Sequence, residues 1–325
     1  MRRAGAVVPE GLIDGTLGVL AWRVAVGIVT LAASAIAWPA LAQEASPSEG
    51  TAEETPAEAG APDEEAPADY GQSRESMAVD TTASQWSFQF AFQGFPEYRE
   101  GTLDDGTQRP EGRRNFSQLR IVAPIVLPRV TVLPRLTVRL AESATGSLGL
   151  NPTDLFALVI PRAFEWSSGR AGFGPNILFP SASFASGTPA SAFGPSVVQL
   201  GLAGAIIQRA WNDRIVMGLL VQQAFGPTAA DNSIQPGPIV INPFFTLQIW
   251  NGIYVSTNDL QMQINWQTGG IKAPIGGRLG YAWVLPSVTF NFYGEYGTEV
   301  GSSSWRGSLA EHYYRLNVTF QIPVG

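Results

Sequence analysis

The chain has no cysteine, one histidine (His312) and, among 20 basic residues, a single lysine (Lys272). Without thiols there is no disulfide framework, no thiolate metal site and no cysteine nucleophile. One imidazole excludes a multi-histidine metal centre, so neither a metal nor a cofactor is expected. Charge is also scarce, at 14% of residues, against about 25% in soluble domains. The net charge of −7 offers no overall basic field to nucleic acid. Turn formers are abundant instead: 35 Gly and 24 Pro in 325 residues, the composition of a chain that reverses often.

The N-terminus reads as an address. Arg2, Arg3 and Arg23 precede an apolar run from Val24 to Leu41 that closes on Ala40-Leu41-Ala42. A basic region, an apolar core and a small-x-small site predict a secretory signal peptide over residues 1–42, cleaved after Ala42. An uncleaved anchor is the alternative, since Val24–Ala42 is barely long enough to span a bilayer. Residues 43–80 carry 11 acidic residues against one basic residue, Arg74. With only Tyr70, Met77 and Val79 able to pack, this acidic Ala/Pro/Glu-rich linker is expected to be disordered.

Beyond residue 80 no apolar run approaches the length of a helical span, and the hydrophobic period is two. Trp86, Phe88, Phe90 and Phe92 alternate with Ser87, Gln89, Ala91 and Gln93. Tyr314, Leu316, Val318, Phe320 and Ile322 alternate with Arg315, Asn317, Thr319 and Gln321. The polar phase is mostly amide and hydroxyl, which suits a wet lumen inside a lipid-facing wall better than the Lys/Glu surface of a soluble sandwich.

Residues 81–325 therefore predict an all-β, closed antiparallel transmembrane β-barrel of about twelve strands. The expected strands are 84–94, 115–124, 130–140, 154–164, 169–179, 194–208, 213–225, 239–250, 253–266, 271–283, 286–297 and 312–323. Long connections (95–114, 141–153, 180–193, 226–238, 298–311) alternate with short ones such as Asn251-Gly252; only Gln267–Gly270 breaks the rhythm. Outer-membrane barrels have short periplasmic turns and long outer loops, so localisation in the cell outer membrane follows. Trp86, Trp166, Trp211, Trp250 and Trp283 all fall at the periplasmic ends, as an interfacial aromatic girdle would. Phase slips near Pro243 and Asn258 predict bulges. The expected partners are outer-membrane lipid, the barrel-assembly machinery for insertion and a small-molecule permeant.

From Phe193-Gly194-Pro195-Ser196 onward the chain resembles a known family. The match runs through Trp211, Gln222, Asn242-Pro243, Asn251–Thr257, Asn265-Trp266, Pro274-Ile275-Gly276-Gly277 and the closing strand Arg315–Pro323. These residues resemble Gram-negative outer-membrane barrels classed as transporters, akin to the phenol meta-pathway degradation barrel family. The resemblance implies passage of small, hydrophobic molecules and supplies no catalytic residue. The chain departs from the family's pattern at Lys272-Ala273 and in ending on Pro323-Val324-Gly325.

No enzyme is expected. A serine hydrolase needs a Ser–His pair, and Ser308 lies four residues before His312 in a loop. The lumen carries a different signal. Arg120, Arg135, Arg139 and Arg315 occupy the polar phase of strands two, three and twelve, with Glu295 the nearest inward carboxylate. Either they form a basic strip that filters permeants by sign, or they pair with carboxylates and brace the wall. The function expected is passive passage of small solutes, anionic or aromatic; the alternative is a non-transporting structural or adhesive barrel. Lumen occupancy discriminates them, and residues 43–83 are the segment able to fold back inside.

Overall fold

The computed structural model describes residues 72–80, 82–227, 233–259 and 261–324; the signal peptide and most of the linker lie outside them. Among the described residues twelve antiparallel strands form one closed sheet. They are β1 (Gln85–Tyr98), β2 (Asn115–Val122, continuing as Ile125–Leu127), β3 (Val130–Glu142) and β4 (Leu148–Leu150, Thr153–Pro161 and Glu165–Trp166). Next come β5 (Gly169–Phe179), β6 (Gln199–Ala210), β7 (Ile215–Pro227) and β8 (Ile234–Pro236 and Ile239–Trp250). The series ends with β9 (Ile253–Thr257 and Met262–Ile264), β10 (Ile271–Val284), β11 (Thr289–Gly301) and β12 (Ala310–Pro323). Each pairs with its sequence neighbour, and β1 closes the ring on β12 from Gln85↔Pro323 to Tyr98↔Ala310.

Alternation decides the faces. Phe90, Phe92, Leu279 and Leu316 are exposed on the outside, while Gln89, Gln93, Asn317 and Thr319 are buried in the lumen. An apolar outer wall cannot face water over twelve strands; it faces lipid. We therefore expect Leu316→Arg, on the lipid face, to hinder insertion, since a mid-bilayer Arg costs about 2–4 kcal/mol. Gln261→Arg, in a lumenal wall, should insert like the parent. Equal heat-modifiability of the two variants on gels would contradict the inside/outside assignment.

The turns follow their sequences. Asn251 (φ 42°) and Gly252 (φ 83°) make the predicted two-residue hairpin. At the β6–β7 turn, Trp211, Asn212 and Asp213 all hold positive φ, and Arg209 Nη1 locks that turn to Asp213 at 3.1 Å. The expected start of strand six at residue 194 needs correcting. Gly194 sits at φ 141°, and the preceding Phe193 is fully buried with its ring against Gly149. The loop folds inward and the strand starts only at Gln199.

The two expected bulges differ. β8 pairs with β7 without a break from Val240 to Leu247, so Pro243 carries no bulge. The irregularity lies on its other side. Thr246 opposes Ser256, but Ile241 opposes Met262. The paired numbers sum to 502 from Thr246 to Gln248 and to 503 from Ile239 to Ile241, so β9 carries one extra residue between Thr257 and Met262. β10 sees the same slip, from Thr257↔Gly277 to Gln263↔Lys272. One extra residue reverses the parity of a strand. Tyr254 and Ser256 face inward before the bulge, Gln261 and Gln263 after it, and Asn258 and Asp259 both face the lumen at it.

The linker expectation also needs correction at its end. Residues 72–80 are ordered, with a one-and-a-half-turn helix, α1 (Arg74–Val79), capped by the Ser73 hydroxyl. This segment lies within the lumen at the periplasmic end. Lumenal Asn291 and Gln321 both donate to the Ala78 carbonyl at 2.9 Å, and Gln85 donates to Met77 O at 2.7 Å. Ion pairing completes the attachment, with Arg170 Nη2 3.2 Å from Asp80 Oδ2. Arg74 reaches the β10–β11 turn, donating to Leu285 O, to Pro286 O at 2.9 Å and to Thr289 Oγ1 at 3.0 Å. The periplasmic mouth is plugged.

Candidate functional site

Above the plug the lumen narrows to a cleft of about 80 Å³, lined by Ala78, Asp80, Arg120, Arg135, Tyr254 and Asp259 among others. Beyond it opens an outer vestibule of about 600 Å³. Arg120 and Asp259 line both, so the charged girdle around them separates the two compartments.

Asp259 is the hub of that girdle. Because the β9 bulge turns it inward, its carboxylate crosses toward arginines on three other strands. It lies 3.2 Å from Arg315, 3.5 Å from Arg120 and 3.7 Å from Arg278. The contacts are ionic rather than aligned hydrogen bonds, for Asp259 Oδ2 and Arg315 Nη2 are both buried without a hydrogen-bond partner. Glu295 supports the bulge from β11, accepting from the Asp259 backbone N–H at 3.0 Å and pairing with Arg278 at 3.3 Å. In register, Glu295 stands between Arg278 on β10 and Arg315 on β12.

The expected lumenal residues are thus all inward, but they are not one basic strip. Arg120 and Arg315 meet at Asp259. Arg135 lies 3.9 Å from Asp154 and packs over the Phe156 ring at 3.9 Å. Arg139 is different: it donates through Nε to Gln118 Oε1 at 2.9 Å, and among the described residues no carboxylate lies within bridging distance. The sequence reading passed over Arg278, Asp154 and Asp259. Arg278 lies in the inward phase of β10 and was legible there. Asp259 was signalled only by the phase slip at Asn258.

Four of the five girdle tryptophans, Trp86, Trp211, Trp250 and Trp283, are exposed on the outer surface at the plugged end. Trp166 is half-buried and donates to Gln208 Oε1 at 2.9 Å. His312 lies at the opposite rim, its Nδ1 3.0 Å from the Tyr296 hydroxyl on the outer face, while Ser308 lines the vestibule. The two side chains face different compartments and make no nucleophile–base pair.

The vestibule's far wall joins folded outer loops to the outer ends of β10 and β11. Arg109 clamps Trp305 O and Gly307 O at 2.7 and 3.1 Å, and Lys272 pairs with Glu299 at 2.9 Å. The Tyr98 hydroxyl donates to Arg113 O. Burial pushes the Arg113 guanidinium down to about 10, so it stays a cation at neutral pH.

No protein-family model matches the chain, and no curated protein matches it in sequence. Solved structures do. An outer membrane channel from Pseudomonas putida F1 superposes with a TM-score of 0.51 at 9% identity, over 75% of this chain and 96% of that one. The Escherichia coli outer membrane phospholipase A reaches 0.35 at 11% identity, over 76% and 95%. The Salmonella typhi OmpF complex with daunomycin reaches 0.27 at 8%, over 73% and 96%. The last two scores carry no argument. The first shows the fold, a closed outer-membrane β-barrel.

Proposed function

We propose that the barrel lets small solutes cross the outer membrane passively, without covalent chemistry, and that its arginines favour anionic and aromatic permeants. The observation that carries this is the tapered lumen, a 600 Å³ outer vestibule leading to a girdle of arginines. A narrow, partly desolvated ring of fixed charge filters permeants by sign, and guanidinium groups both attract carboxylates and stack on aromatic faces. Around the girdle five arginines (120, 135, 139, 278, 315) stand against three carboxylates (Asp154, Asp259, Glu295), a net of two positive charges. The family resemblance, with its small hydrophobic permeants, agrees with the aromatic part of this reading.

The test is planar-bilayer recording of the purified mature protein. Replacing Arg135 and Arg139 together by Gln should move the zero-current potential in a salt gradient toward that of cations. An unchanged potential would make these arginines wall braces. The plug favours a second reading, a non-transporting structural barrel, and that reading gains if no variant conducts.

A further inference from the structure

The vestibule has the surface of a binding site as well as of an entrance. Phe95, Tyr98, Phe116 and Trp305 line it, and the Phe95 ring lies 6.0 Å from both Tyr98 and Phe116. Arg139 sits over the Phe116 ring at 6.0 Å. Its terminal nitrogens and those of Arg113 have no hydrogen-bond partner among the described residues.

Donors are also in surplus. In or just behind the wall, Gln118 Nε2, Arg120 Nε, Arg315 Nε and Trp305 Nε1 are buried without a hydrogen-bond partner. The orphaned acceptors around them are Asn151 Oδ1, Asp154 Oδ1 and Glu295 Oε1. Buried donors without acceptors are rare in finished structures, and a ligand that brings acceptors satisfies them. Glu299 does not compete for such a ligand, since Lys272 and the Ala310 N–H already hold it at 2.9 and 2.8 Å.

We infer that the outer vestibule is a saturable binding site for a small aromatic carboxylate. The carboxylate lies against Arg139, and the ring lies on the Phe95–Phe116 wall. A volume of about 600 Å³ is in the range of small-molecule sites. The girdle and plug beneath hold such a molecule in place. The inference rests on the transport reading for its biological sense, but binding is measured without passage.

Isothermal titration of the full-length protein in detergent tests it, with benzoate, cyclohexanecarboxylate, benzyl alcohol and inorganic phosphate as probes. Benzoate should saturate one site, and benzyl alcohol and phosphate should bind far more weakly. Arg139→Gln should weaken benzoate about tenfold or more, the loss of one charge-assisted contact. Phe116→Leu should cost benzoate more than cyclohexanecarboxylate. Should either variant fail to insert, Arg113→Gln, in a loop outside the strands, reads the same charge dependence. Absence of saturable benzoate binding, phosphate binding as tightly as benzoate, or unchanged affinity in Arg139→Gln would overturn the inference. Benzoate binding in a barrel that never conducts overturns the transport proposal alone. Conduction without saturable binding overturns this inference alone.

Discussion

Removing residues 72–83 should raise single-channel conductance several-fold over the intact protein. The cleft directly above the plug has about 80 Å³ of free space, and the segment below it contacts β1, β5, β11 and β12 through side chains that face inward. Its hold is polar: amide-to-carbonyl bonds from Asn291 and Gln321, and the Asp80–Arg170 pair, whose side chains are 0% and 6% exposed. Such contacts contribute modestly in net terms because water replaces them when the segment leaves, and the buried Met77 and Ala78 side chains add apolar contact. The buried pair is the exception. Removing one partner of a buried pair costs about 3–5 kcal/mol, and Asp80→Asn should therefore lengthen open times without any deletion. The measurement is single-channel recording of parent, deletion and Asp80→Asn. Identical conductance in all three would show that the plug does not limit the path.

The barrel was legible because a lipid-facing strand must alternate, and alternation survives composition. Strands at Gln85–Tyr98 and Ala310–Pro323 could be read residue by residue. The plug was not legible in the same way. Its helix offers Met77, Ala78 and Val79 as apolar residues, and its attachment runs through main-chain carbonyls and one ion pair, which no hydrophobic pattern records. Compositional disorder rules ask whether a segment can bury apolar surface; this one is ordered by a polar cavity that the rest of the chain builds.

The site was half legible for a related reason. Arg120, Arg135, Arg139 and Arg315 follow from phase alone. What neutralises them does not, because pairing across a lumen depends on which strands face each other. Asp259 sits 139 positions from Arg120 in sequence and 3.5 Å from it in space. The bulge at Asn258 was readable as a phase slip. Its consequence, two successive inward side chains of which the second is a carboxylate, needed the register.

Asp259→Asn should shift ion selectivity toward anions, opposite in sign to the Arg135/Arg139 double replacement. The substitution keeps shape and removes one negative charge, taking the girdle from two net positive charges to three. Three arginines then lose their shared partner at 3.2, 3.5 and 3.7 Å. Their mutual repulsion is screened little in a cleft that salt barely enters. The variant should also unfold at lower temperature in the heat-modifiability assay, as uncompensated buried charge is costly. The barrel's hydrogen-bonded wall is untouched, so insertion should persist. Asp259→Glu separates the two effects: it restores the charge but lengthens the side chain in a bulge fixed by Glu295, and should recover selectivity more fully than stability. Glu295→Gln removes a carboxylate that pairs with Arg278 and fixes the bulge, and should move selectivity the same way. If Asp259→Asn leaves the zero-current potential where it was, permeating ions do not sense the girdle. The constriction would then have to lie elsewhere on the path.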